Sequence, residues 1–106
     1  MKKNTKPSGN IIRRARLPTK KEQFAVVREM SGGSRMLALC EDGHMRMIRI
    51  GGKFKKRMWC RENDLILITP WVVQSERKAD LVYRYLPTER KWIINRGIIP
   101  EELNIW

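Results

Sequence analysis

Apolar residues are sparse before residue 22, where Ile11 and Ile12 stand nearly alone. From there the pattern turns β-like. QFAVVREM (23–30), RMLALCE (35–41) and HMRMIRI (44–50) are short segments rich in strand formers, each bounded by turn residues. Ser31-Gly32-Gly33-Ser34 supplies one loop, with glycines free to take positive φ. Asp42-Gly43 predicts a type I′ hairpin. These three segments therefore predict a meander. LILITPWVV (65–73) is a fourth strand, and its unbroken apolar start predicts burial on both faces. Pro70 lacks a ladder donor and predicts a bulge or an edge. ADLVYRYL (79–86) is a fifth strand after a polar turn, with Leu81, Tyr83 and Tyr85 on one face and Asp80, Val82 and Arg84 on the other. The period then changes. ERKWIINR (89–96) reads as a helix, with Thr88 as N-cap and Gly97 just past its end. One further helical turn is expected at residues 100–103.

Five strands, the first three a meander and the third and fourth joined by an irregular connector, predict an all-β OB-fold barrel with a short C-terminal α-helical extension. An SH3-like barrel is the second choice. The expected organisation is a disordered basic arm over 1–21, the barrel over 22–86, and a helix and tail packed on it over 87–106. A chain of 106 residues suits one such domain.

Charge adds what the apolar pattern does not contain. The net charge is +12. Residues 1–21 hold eight cations and no acid, and residues 46–61 hold seven more, again without an acid. That leaves eight of the 23 cations against all eleven acids, so the remainder is slightly acidic. Segregation on this scale points to a polyanionic partner. Nucleic acid is the first candidate and an anionic membrane surface the second. The arm lacks the helical apolar face that membrane binding needs, and no apolar run approaches the ~18 residues of a membrane span. The two cysteines, Cys40 and Cys60, form no CxxC pair and read as reduced structural thiols of a cytoplasmic protein.

Catalytic chemistry has little to stand on. The single histidine, His44, sits beside a hairpin turn, and no nucleophile-elbow or phosphate-loop motif occurs. The acids do not converge as paired carboxylate catalysis requires. Cys40, His44 and Cys60 supply three ligand types without the fourth, or the close spacing, of a structural zinc site. No catalytic residue, metal or cofactor is therefore assigned.

The segment GGKFKKRMW (51–59) has the composition of an RNA contact. Lys53, Lys55, Lys56 and Arg57 suit phosphates, with Arg46 and Arg49 on the preceding strand and Arg61 just after. Arg13, Arg14 and Arg16 extend the set into the arm. Phe54 and Trp59 are candidates for base stacking, but large rings at strand starts are usually buried, and they read first as plugs of the barrel end. Trp71 reads as core or as the lid of the helix packing, and Trp106 as a terminal ring; neither receives a binding role.

The order EDGHMRMIRI, GGKFKKRMWCRENDLILI, KADLVYRY and a short helix resembles translation initiation factor 1A of the archaeal and eukaryotic type, over about residues 15–103. The bacterial initiation factor 1 is similar through a DGH-like hairpin and a GKMRK-like loop. The loop G-K-x-[KR]-K-[KR]-x-W, at residues 52–59, is the most specific part. The resemblance implies an S1-like OB fold and a non-catalytic factor that binds the small ribosomal subunit at the A site, against rRNA of the decoding centre. It implies that Lys53, Lys55, Lys56 and Arg57 contact rRNA, flanked by Arg46 and Arg61. It also implies that the N-terminal arm, with Arg13, Arg14 and Arg16, reaches initiator tRNA and mRNA. Other initiation factors would be partners, a translational GTPase among them, with Ile105-Trp106 an attractive apolar end for it. Eukaryotic members carry a long acidic C-terminal tail; its absence after Trp106 fits the archaeal form. A monomer is expected. The alternative is a general single-stranded RNA chaperone of the cold-shock or S1 type, although the cold-shock aromatic pattern is absent from these strands.

Overall fold

The computed structural model describes residues 15–32, 35–51 and 60–106. Five strands among them, β1 (Gln23–Met30), β2 (Arg35–Cys40), β3 (Met45–Arg49), β4 (Leu65–Pro70) and β5 (Lys78–Arg84), close into a barrel in the order β1-β2-β3-β5-β4. The pairs are antiparallel except β3–β5, which is parallel. This is the OB-fold arrangement expected from the sequence, followed by helix α1 (Pro87–Asn95) and a 3-10 turn (Glu101–Leu103). Closure removes the open edges that would otherwise template aggregation.

The apolar runs of β1 and β4 are explained by two cores, one on each side of the same two strands. Ala25, Val27, Ile66 and Ile68 point into the barrel with Met36, Ala38, Cys40, Ile48, Ala79 and Leu81. Phe24, Val26, Leu65 and Leu67 point outward, where Tyr85, Ile93, Ile99, Leu103 and Ala15 cover them. Ile66, Leu67, Ile68 and Ile93 are completely inaccessible. Each such side chain contributes roughly 1.5–3 kcal/mol relative to an exposed one. Ala15 belongs to this second core, so the chain is already anchored seven residues before Glu22, inside the stretch the sequence suggested as a free arm. Tyr85 donates its hydroxyl to the Arg16 carbonyl, and Arg16 pairs with Glu22 at 3.0 Å.

Local details depart from the sequence reading for identifiable reasons. The β2–β3 connection is not type I′. Gly43 has φ +92° while Asp42 stays at negative φ, and Gly43 N–H donates to the Cys40 carbonyl at 2.8 Å. That is a type I turn followed by a left-handed glycine, a three-residue loop. The β4 strand ends at Pro70 rather than continuing to residue 73. On β5 the register passes from Ile68↔Leu81 to Leu67↔Tyr83, so Val82 is an extra residue. This bulge breaks the strand's alternation: Leu81 faces the barrel, whereas Tyr83 and Tyr85 pack with the outer core. Helix α1 starts two residues earlier than expected, with Leu86 rather than Thr88 as N-cap, because Pro87 supplies a preorganised first position. Glu89 Oε1 accepts from the Leu86 N–H at 2.7 Å, and its Oε2 accepts from the Tyr83 hydroxyl at 2.7 Å, tying α1 to β5. Burial and the Glu89 carboxylate push the Tyr83 phenol up to about 12. Gly97, at φ +68°, ends the helix as expected.

Candidate nucleic-acid interface

The basic segment at residues 52–59 lies outside the described residues, and with it Lys53, Phe54, Lys55, Lys56, Arg57 and Trp59. So do Arg13 and Arg14 of the arm. The two roots of the segment are well defined. Ile50 and Cys60 are both buried in the barrel core, so the chain leaves and re-enters at fixed points. The return is braced by Asp64. Its Oδ2 accepts from the Arg61 N–H at 2.8 Å and from Arg84 Nε at 3.0 Å, while Asn63 takes the left-handed conformation at φ 73°. Arg61 is exposed, and its guanidinium has no carboxylate partner among the described residues.

Arg46 is placed differently from the expectation of a phosphate contact. Its side chain is only 3% exposed. Nη1 and Nη2 form a fork on Asp42 at 2.9 and 2.8 Å, and Nε donates to the Ser75 carbonyl at 2.6 Å. Its donors are turned inward, and it ties the β2–β3 loop to the β4–β5 loop. The Arg46 fork holds the Asp42 carboxyl far below the usual carboxylate range. The sequence did carry a signal for this: Arg46 shares strand parity with Ile48 and Ile50, both buried.

Arg49, at the end of β3, is exposed at 61%. Its Nε reaches Asp80 Oδ1 at 2.9 Å, and the same oxygen accepts from Trp71 Nε1 at 3.0 Å. Asp80 thus fixes both an arginine and an indole. Trp71 is half-buried and belongs to neither core. Arg49 Cζ and Lys78 Nζ each lie 5.3 Å from its ring centre. A cleft of about 220 Å³ opens between Arg35, Met47, Arg49, Trp71 and Lys78. Strand register assembles it: Arg35 is directly opposite Arg49, and Met47 opposite Lys78. Trp71, expected from the sequence to be core or the lid of the helix packing, lies in this cleft instead, and Arg35 and Lys78 drew no reading, because the crossing of β3 to β5 that joins them spans about 30 residues.

Arg16 is 43% exposed beside Glu22. At the far end of the chain Ile105 and Trp106 are exposed, and Arg90 lies over the Trp106 ring at 4.7 Å. Cys40 and Cys60 are buried free thiols. Burial pushes the Cys60 thiol up to about 11 and raises Cys40 as well, so neither is a thiolate at neutral pH. Among the described residues, no helix is long and apolar enough to cross a membrane.

Comparison with known proteins adds a family match. Residues 12–105 match the family model described as Translation initiation factor 1A / IF-1. A translation initiation factor 1A of Thermoplasma acidophilum is 45% identical over 105 residues, covering 97% of this chain and 84% of the relative. One of Methanothermobacter thermautotrophicus is 46% identical over 88 residues, covering 83% and 89%. One of Pyrococcus abyssi is 41% identical over 101 residues, covering 95% and 89%.

Proposed function

We propose that this chain, which belongs to the translation initiation factor 1A / IF-1 family and so serves in translation initiation, binds the small ribosomal subunit at the A site, against rRNA of the decoding centre. Its role there is non-catalytic. It promotes assembly of the initiation complex and placement of initiator tRNA. The observation that carries the reading is the acid-free run of seven cations over residues 46–61, whose central loop is rooted between the buried Ile50 and Cys60. Two fixed roots limit the entropy lost when such a loop settles on a polyanion. Lys53, Lys55, Lys56 and Arg57 are the phosphate contacts, with Arg49 and Arg61 beside them. Arg46 is not among them, because its donors are committed to Asp42 and Ser75. The arm, with Arg13, Arg14 and Arg16, extends toward initiator tRNA and mRNA. Ile105-Trp106 offers an apolar end to a translational GTPase among the other initiation factors. The protein works as a cytoplasmic monomer.

The test is binding of the full chain to small ribosomal subunits at physiological salt. Reversing charge at Lys55, Lys56 and Arg57 should weaken binding by at least tenfold. Deleting residues 1–14, which spares the packed Ala15, should weaken it less. Unchanged affinity of the loop variant overturns the assignment, and equal affinity of the native chain for random RNA favours a general RNA chaperone.

A further inference from the structure

The cleft around Trp71 breaks a rule of strand pairing. Arg35 and Arg49 face each other across β2 and β3, and like charges directly opposite one another are destabilising. Asp80 neutralises Arg49 at 2.9 Å. Arg35 and Lys78 have no carboxylate within ion-pair distance among the described residues, and every acid of the chain is described. The fold therefore keeps two cations without carboxylate partners, Arg35 and Lys78, at a cleft lined by an aromatic ring. Violations of this kind are expected where a ligand supplies the missing charge.

We propose that the Trp71 cleft is a second RNA subsite, separate from the loop at residues 52–59, that takes one unpaired nucleotide. The base stacks on the Trp71 indole, and the adjoining phosphate lies between Arg35 and Lys78. The parts suit that division. The indole edge is pinned by Asp80 through Nε1, so the ring is preorganised. Arg49 is held by the same carboxylate and stays against the ring. Lys78, on a flexible stem, gives way to the base and keeps its charge for phosphate. Met47 lines the cleft with a polarizable apolar surface. A volume of about 220 Å³ admits a single base, whereas a duplex presents no base face to it. Arg46 contributes indirectly, because its bond to the Ser75 carbonyl anchors the loop that follows Trp71.

This subsite rests on the RNA-binding reading above, but its test is separate from the test of that reading. The full chain is titrated with a short oligoadenylate and with an RNA duplex of equal phosphate number. Trp71→Leu should bind the oligoadenylate about tenfold more weakly. Trp71→Phe, which keeps an aromatic face, should stay within about threefold of the native chain. Duplex affinity should not change in either variant. In the native chain the Trp71 indole N–H resonance should shift upfield on saturation with oligoadenylate, a readout that survives if the leucine variant fails to fold. Native oligoadenylate affinity in a folded Trp71→Leu variant, or a Trp71 resonance that does not move at saturation, overturns the proposal. The small-subunit affinity of the loop charge-reversal variant is read independently, so this site can fail while the ribosomal assignment stands, and the reverse.

Discussion

At the scale of single residues, Arg46 changes most between composition and structure. Counted by charge it belongs to the basic run; placed by geometry it is a clamp. Its fork on Asp42 and its bond to Ser75 join two loops that strand pairing alone would leave independent. Asp42 is 35% exposed, so removing Arg46 leaves a carboxylate that water can partly reach, and the loss falls below that of a fully buried pair. Arg46→Met should cost about 2 kcal/mol at pH 7, the range of a charged hydrogen-bonded contact. The pH dependence follows from the depressed Asp42 carboxyl. A carboxylate whose folded value is lowered stabilises the native state above its ordinary value near 4, and that stability is lost as pH falls. The gap between native and Arg46→Met chains should therefore be full at pH 7 and narrow below about pH 4. Urea denaturation at pH 7 and pH 3 measures it; a gap that stays constant would mean Arg46 acts through apolar packing of its stem alone.

At the scale of elements, the outer core makes α1 structural. Ile93 is completely inaccessible against the outward faces of β1 and β4. Ile93→Ala should lower stability by about 2–5 kcal/mol, seen as a fall in the urea midpoint. Gly97→Ala should cost about 1 kcal/mol, entirely through backbone, since an added Cβ there meets nothing within 4 Å but φ is +68°. Gly97→Asn should recover part of that loss. Much of this architecture was legible in the sequence. LILI at 65–68 announced a strand buried on both faces, and Asp42-Gly43 announced a hairpin. The turn type was not legible, because one left-handed residue or two depends on how strand twist meets loop length. Nor was the Val82 bulge, since alternation read along one strand carries no information about its partner's register. The same limit governed the site. Arg46 could have been assigned inward by parity with Ile48, using only its own strand. Arg35, Trp71 and Lys78 meet only after β3 pairs in parallel with β5, a contact that no local pattern encodes.

For the whole molecule, the deciding quantity is how the +12 charge is distributed. The described residues include all eleven acids, and several of these pair with cations: Asp42 with Arg46, Asp64 with Arg84, Asp80 with Arg49. Those cations are largely committed within the fold and release few counterions on binding. The loop at residues 52–59 has four cations and no acid. Binding to a single-stranded RNA element should therefore be driven by a small number of phosphates. With about five neutralised, log K should fall against log salt with a slope near −3.5, from a slope of about −0.7 per phosphate. Replacing Lys53, Lys55, Lys56 and Arg57 together with alanine should flatten that slope by about 2.8, if all four touch phosphate. Trp71→Leu should lower affinity at every salt concentration while leaving the slope unchanged, because stacking releases no counterions. Fluorescence titrations of the three proteins from low to moderate salt separate these terms. A quadruple variant with the native slope would place the electrostatic contact outside the loop, and a native slope near zero would mean that shape rather than charge governs recognition.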